Sequence, residues 1–488
     1  MEERYLPLPE SLKQHETPAW FSDAKFGIFI HWGIYSVPAF GDEWYCQLMH
    51  TGRGHWALRK GLDPNPETIK EYHARTYGAS FRYHEFLSLW KPDRFDAEQW
   101  MELFASSGAR YVIPVAMHHD SFALYESSLT PWNTVEKGIG TESGGWKTVG
   151  GQGRDFMKEL QLAAKRRGLK FGLSNHVAEN CRWVPHAKEY GTDYSRSDED
   201  PYQLRLLYGS DFTDEEDACR WLALNKEIIE RFHPDCMYFD MELREPRFDS
   251  VKRQFAADYY NDAVMNNSEG VLFFYKADAF EEGEAVEDVE RGQISVIAAR
   301  PWQSDTSLSP RSWGFVQNDT CRPSSYCIAT LIDVVSKNGN LLLNVSPRAD
   351  GSIPEAQEKT LRETGAWLSK YGKAVYGTKP WSVHGEGPSG ASGYCSESNN
   401  GYSVEDFRFT RSGSTLYVFS LVPQPGSSLC IKSLGGLPVQ NVSLVCGDKP
   451  VVWRVSDKGL LVDISSLSSE VKAEPMAFAV ELKGGMPE

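Results

Sequence analysis

The stretch Cys236–Glu242, CMYFDME, decides how this chain is read. It follows a helical run, DEEDACRWLALNKEIIERF, that stops at a His-Pro-Asp turn, and it has the texture of a short apolar strand ending in an acid. Strand alternation sends Tyr238 and Asp240 to one face and Met237 and Phe239 to the other. An acid at the C-terminal end of a strand, just before a loop, is where a (β/α) barrel keeps its chemistry. The plainer alternative is that Asp240 only caps the turn that follows.

Outward from this stretch, strand-like runs alternate with amphipathic helices from about residue 25 to 370. The runs are KFGIFIHW (Lys25–Trp32), RYVIPVAMHHD (Arg110–Asp120), LKFGLSNH (Leu169–His176), MYFD, GVLFFYK (Gly270–Lys276) and NLLLNVSP. Between them lie helical segments such as AEQWMELFASSGA, for which Asp96 is the expected N-cap. Alternation of this kind implies parallel strands with right-handed crossovers. Six clear strands plus one or two hidden ones predict an α/β fold, a (β/α)8-like TIM barrel over 1–374. No GxGxxG follows a strand, which argues against a dinucleotide fold. Past Lys373–Trp381 the texture becomes short alternating strands broken by Gly, Pro, Ser and Asn, predicting a C-terminal β-sandwich over 375–488.

Composition excludes several functions. The formal charge of −16 opposes nucleic-acid binding, which runs on clustered Lys and Arg. No apolar run approaches the roughly 20 residues that span a bilayer. The polar N-terminus lacks the form of a secretory signal, so the expected location is cytoplasmic, or periplasmic or secreted if a signal has been removed. Nine cysteines without CxxC spacing argue against a disulfide framework or a cysteine zinc site. The 15 Trp, 22 Tyr and 24 Phe suit sugar stacking but equally suit a dense core.

Four predicted strand ends can meet at one barrel mouth. The first offers Phe29 and His31, with Glu43 and Trp44 in the loop beyond. The second offers His118, His119 and Asp120, the third Ser174, Asn175 and His176, and the fourth Asp240. A nitrogen and oxygen zinc site from His31, His118, His119, His176 and Asp240 is one reading. Against it, His118 and His119 diverge if still in a strand, and neither HxH nor HExxH spacing occurs. A glycosidase reading needs a second carboxylate beside Asp240. The acidic loop AFEEGEAVEDVERGQ supplies Glu281, Glu282, Glu284, Glu287, Asp288 and Glu290. Most of these read as solvated charges, and Glu290, beside a strand-like segment, is the best held.

The segments AWFSDAKFGIFIHWGIYSVPAF, EWY, VAMHHDSFALYES, MYFDME, SWGF and KNGNLLLNVSPRADGSIP together resemble α-L-fucosidases of glycoside hydrolase family 29, from about Trp20 to Trp381. The resemblance implies a catalytic barrel and a sandwich, needing no metal or other cofactor, that remove terminal α-L-fucose with retention through a covalent glycosyl-enzyme. It places the nucleophile on Asp240, supports Glu290 as acid/base through a V-E-basic-G pattern, and puts fucose-hydroxyl ligands on His31, Glu43, Trp44, His118 and His119. Phe29 and Trp313 would wall the sugar's methyl group. The chain departs from the family at Tyr238 and Met241, where Trp and Gly are usual. It also reads LSNHVAENCRW where many members carry YYS and then GEW, so Asn175 or His176 would replace a ligand tyrosine. The implied partner is a fucosylated oligosaccharide or glycoconjugate, with neither nucleic acid nor membrane involved and a homo-oligomer open. Two other functions stay in view, a glycosidase for a related sugar such as L-galactose and an inactive sugar-binding protein.

Overall fold

A computed structural model describes residues 4–135, 153–183, 201–209, 212–390, 392–397 and 401–484. Eight parallel strands close into a barrel in chain order: β1 (Phe26–Ile30), β2 (Tyr111–Met117), β3 (Lys170–Asn175), β4 (Cys236–Tyr238), β5 (Leu272–Lys276), β6 (Val286–Asp288), β7 (Trp302–Ser307) and β8 (Gly339–Val345). Closure runs through β1 and β8, where Phe29 stands beside Asn344. The two strands hidden from the sequence are β6 and β7. β6 has three residues, and β7, WQSDTS, is polar yet buried throughout. Hydrophobic periodicity cannot find a strand whose inward side chains bond to one another instead of packing as hydrocarbon.

The longer helices are α1 (Ala97–Ser106), α2 (Phe156–Arg166), α3 (Asp214–Phe232), α4 (Lys252–Asn266), α5 (Ser324–Ser336) and α6 (Glu355–Tyr371), each with a buried face except α5, which is buried on all sides from Cys327 on. Asp96 caps α1 by accepting from the amides of Glu98 and Gln99. Thr213 and Glu216 close a reciprocal capping box at the start of α3, which satisfies two otherwise orphaned donors.

Alternation sorts the strands as anticipated. Phe29, Ile113, Tyr238, Phe274 and Leu342 pack in one cluster inside the barrel. Ile28, Ile30, Met237, Phe239 and Leu343 belong to the larger core that the helices cover. Tyr238 at the end of β4 and Asp240 two residues beyond it both reach the inside of the barrel.

C-terminal to the barrel, β9 (Lys379–Glu386), β10 (Phe407–Ser412), β11 (Thr415–Ser420), β12 (Ser428–Ile431), β13 (Val439–Leu444), β14 (Lys449–Pro450), β15 (Val452–Ser456), β16 (Gly459–Asp463) and β17 (Ala477–Leu482) form two antiparallel sheets. One has six strands in the order β14-β13-β17-β11-β10-β9 and the other three, β12-β16-β15. Side chains tie them to the barrel helices. Arg408 of β10 meets buried Asp333 of α5, which also holds Lys337, and Trp367 of α6 donates to the carbonyl of Pro475. Among the described residues no helix is long and apolar enough to cross a membrane.

Candidate active site

One cavity opens at the C-terminal mouth of the barrel, lined by Phe29, His31, Glu43, Trp44, His118, His119, His176, Tyr238, Asp240, Met241, Glu242, Lys276, Glu290, Asp305 and Trp313. Nearly every expected site residue is in it. Asn175 is not. As the last residue of β3 it turns into the wall, donating to Asn225 of α3 and accepting from the amide of Val177, while the next residue, His176, faces the cavity. Asp120 is likewise held away, accepting from the Tyr83 hydroxyl and the Phe122 amide. His118 and His119 do not diverge. β2 ends at Met117, so alternation no longer governs them, and their rings meet edge-on at 4.5 Å.

Asp240 is both a cap and a site residue. Its Oδ1 accepts from the Met241 amide at 2.9 Å and pairs with the Lys276 ammonium at 3.1 Å. Its Oδ2 lies 3.7 Å from His119 Nε2 and 3.8 Å from His176 Nδ1. Burial pushes this carboxyl up, but the Lys276 ammonium prevails and holds it well below the usual carboxylate range.

Lys276 organises the centre. It ends β5, is almost fully buried, and its ammonium also reaches Glu290 Oε2 at 2.8 Å and Asp305 Oδ2 at 3.5 Å. A single Nζ touching Asp240 and Glu290 puts those two oxygens no more than about 6 Å apart, near enough for both carboxyls to act on one glycosidic bond. Burial raises the Glu290 carboxyl above its ordinary range; Lys276 pulls it down, and Asp240 and Asp305 push it up again. The two carboxyls are thus pushed in opposite directions, Asp240 down and Glu290 up. Below them Tyr238 donates to Asp305 and Asp288, and Gln303 donates to Asp288, so the polar residues of β6 and β7 form the floor.

The acidic loop resolves residue by residue. Glu281 pairs with Lys13, Glu282 lies near Arg300, and buried Glu284 pairs with Arg253. Glu287 faces outward on β6 and Asp288 inward beneath the site. Of these six, Glu290 alone lines the cavity. Glu242, which the sequence reading passed over, lines it too. Glu242 bonds to Glu179, and burial raises both carboxyls, that of Glu179 to about 7.

The histidines are neutral because burial removes the charged form. It lowers His31 to about 3 and His119 to about 4, and takes His118 and His176 well below the ordinary value. His31 Nδ1 lies 2.7 Å from Asn344 Oδ1, whose amide nitrogen donates to Ser307 and to the Trp313 carbonyl. Nδ1 of His31 therefore carries the hydrogen and Nε2 is an acceptor. The same logic applies to His119, whose Nδ1 donates to the His176 carbonyl at 2.9 Å. Both rings are prepared to accept from hydroxyl groups.

Glu43 is held by the SWG segment: its Oε2 accepts from the Ser312 hydroxyl and the amides of Trp313 and Gly314. Gly314 permits this approach, since a Cβ there would stand 2.8 Å from the Tyr35 ring. Asp42 fixes the neighbouring loop by accepting from the Trp44 and Trp56 amides. Trp44 packs 4.6 Å from Trp183 and 5.6 Å edge-on to His119. Phe29 and Trp313 meet edge to face at 6.2 Å as an apolar wall, with the Arg291 guanidinium over Trp313 at 4.5 Å. Arg291 is in turn paired with Glu397, which comes from the C-terminal half. In the same segment, the Cys395 amide donates to the Glu290 carbonyl and the Glu397 amide to that of Arg291. No local sequence pattern could have announced this strap.

Lys276 ends a strand that the sequence predicts, but nothing local marks its ammonium as the counterion of two carboxyls. Replacing it with Met should move the acid limb of the pH–activity profile to higher pH. The cation that keeps Asp240 ionised is gone, so the carboxylate protonates on acidification sooner than in the parent enzyme. An acid limb left in place would show that Lys276 does not tune Asp240.

Two neighbouring carboxyls whose proton affinities are pushed in opposite directions, at the C-terminal mouth of a (β/α) barrel, are the arrangement of a glycoside hydrolase. Comparison with known proteins carries the assignment further. A family model described as "Alpha-L-fucosidase" matches residues 1–373, and the chain belongs to that family. Relatives include an alpha-L-fucosidase of Branchiostoma floridae, 28% identical over 99% of this chain and 96% of that protein, and the tissue alpha-L-fucosidase of Bos taurus, 27% identical over 99% and 92%. Among solved structures, Thermotoga maritima alpha-fucosidase superposes with a TM-score of 0.72 at 28% identity, covering 98% of this chain and all of that one. The same enzyme in complex with a mechanism-based inhibitor gives a TM-score of 0.73.

Proposed function

We propose that this chain hydrolyses terminal α-L-fucosyl residues of oligosaccharides or glycoconjugates with retention, using Asp240 as nucleophile and Glu290 as acid/base. The observation that carries this reading is the single buried ammonium of Lys276 touching both carboxyls. In the first step Glu290 donates its proton to the glycosidic oxygen as Asp240 attacks the anomeric carbon, giving a glycosyl-enzyme and the free alcohol. In the second Glu290, now ionised, takes a proton from water, whose oxygen displaces Asp240.

The remaining residues suit a neutral sugar with several hydroxyls and one methyl. His31 and His119 offer acceptor nitrogens, Glu43 a carboxylate held in place by SWG, and His118 and His176 further ring nitrogens. Trp44 borders these polar groups, and Phe29 with Trp313 would cover the methyl group. Contacts to hydroxyls can tighten as positive charge develops on the sugar ring.

Proton NMR of the first product from an aryl α-L-fucoside tests the reading: α-L-fucose should appear before mutarotation, and β-L-fucose appearing first would remove Asp240 from its role. The matching α-L-galactoside, with a hydroxyl pressed on the Phe29–Trp313 wall, should turn over with kcat/KM lower by about 10²-fold. Equal rates would open the pocket to L-galactose.

A further inference from the structure

We propose that the sugar pocket is also a zinc-binding site, formed by His31, His118 and His176, and that a bound ion and a bound glycoside exclude each other. One ligand nitrogen from each of the three rings lies within 4.8 Å of the others. All three residues are at least 96% buried. Among the described residues His118 Nδ1 and both nitrogens of His176 have no hydrogen-bond partner, so these two buried rings keep ring nitrogens that no protein group satisfies.

This donor set suits zinc, which takes imidazole nitrogen at about 2.0–2.1 Å and accepts four-coordination with one position open. Around such an ion the nitrogens stand about 3.3 Å apart, so the triad must tighten by as much as about 1.5 Å. The hydrogen bonding allows that. Coordination through His118 Nδ1 or either nitrogen of His176 would break no hydrogen bond among the described residues. His31 is the oriented one, its Nδ1 hydrogen given to Asn344 in the manner of a metal-bound histidine with a fixed outer partner. His176 also belongs to a second group with His119 and Asp240, which places a carboxylate beside the open position. The charge of Lys276 nearby is offset by Asp240, Glu290 and Asp305. The ion would be an inhibitor occupying lone pairs meant for hydroxyls, with no part in the hydrolysis.

The test uses the whole chain, stripped with EDTA and titrated with zinc chloride by calorimetry. One site should appear, and saturating L-fucose should abolish it. His176→Gln and His118→Gln should each weaken binding by at least about 10-fold, and Asn344→Ala by about 10–100-fold. Cobalt(II) should give the visible bands of a low-coordinate nitrogen site in the parent and not in His176→Gln. With an aryl fucoside, zinc should raise KM and leave kcat unchanged, with EDTA restoring the rate. This arm and the fucose competition rest on the proposed fucosidase reading, whereas the zinc titration and the cobalt spectra need neither turnover nor sugar. Zinc that fails to bind at millimolar concentration overturns the proposal. So does zinc that binds equally well to both histidine variants, or that is indifferent to fucose when fucose itself is seen to bind in the calorimeter.

Discussion

Asp240→Ala is expected to lower turnover of an aryl α-L-fucoside by at least about 10⁴-fold, since removing a nucleophile typically disables the whole constellation. The loss should be chemical and not a failure to fold. Only one backbone donor, the Met241 amide, loses a carboxylate partner, and Lys276 keeps Glu290 and Asp305 as counterions. Azide separates the two explanations. Its small anion can enter the space the carboxylate leaves, attack the anomeric carbon and expel the aryl oxide, giving β-L-fucosyl azide. Rescue with that product would prove both a folded pocket and the face of attack. Near-parental activity without azide would end the assignment of Asp240.

Glu290→Ala should produce a loss that depends on the leaving group. A general acid is needed most when the departing alcohol is poor, so hydrolysis of a fucosyl disaccharide should fall by roughly 10²–10⁴-fold. An activated aryl fucoside needs little help to depart, and its first step should be nearly spared. The glycosyl-enzyme should then accumulate as a burst, because the base for the second step is missing. Glu290 acts in its protonated form and burial raises its pKa, so the parent rate falls as pH rises through that value. Without the residue this alkaline limb should flatten. Glu284→Ala and Glu287→Ala should show none of these effects, one being paired with Arg253 and the other facing outward. Glu242→Ala is the decisive control, as Glu242 also lines the cavity with a raised carboxyl. If it gives the leaving-group dependence and Glu290→Ala does not, the acid/base belongs to Glu242 and Asp240 keeps its role.

Much of this site could be read along single strands. Alternation placed Tyr238 and Asp240 on one face of β4, and Phe29 beside His31 on β1, because side-chain direction in a strand is a local property of two residues per repeat. The helices were legible for the same reason, their buried faces and caps being written in neighbouring residues. The acid at the end of MYFD and the histidines after VAM follow from where parallel strands deliver their C-terminal ends.

Other features depend on residues far apart in the chain. β7 is a strand because Gln303 and Asp305 find partners on β4 and β6, and no hydrophobic pattern marks polar residues whose partners are remote. Whether Asn175 or His176 faces the cavity turns on where β3 ends and on Asn225 of α3 waiting for an amide. Glu43 and Trp313 meet across some 270 positions, and the strap around Glu397 reaches Arg291 from the C-terminal half. Lys276 alone was plain as a strand end, but its part as the counterion shared by Asp240 and Glu290 arises only on closing the barrel. Local sequence determined the elements and which face each side chain takes, because those follow from backbone geometry within a few residues. Tertiary structure decided which charges and lone pairs share one small, dry space, because electrostatics acts through distance in space and not along the chain.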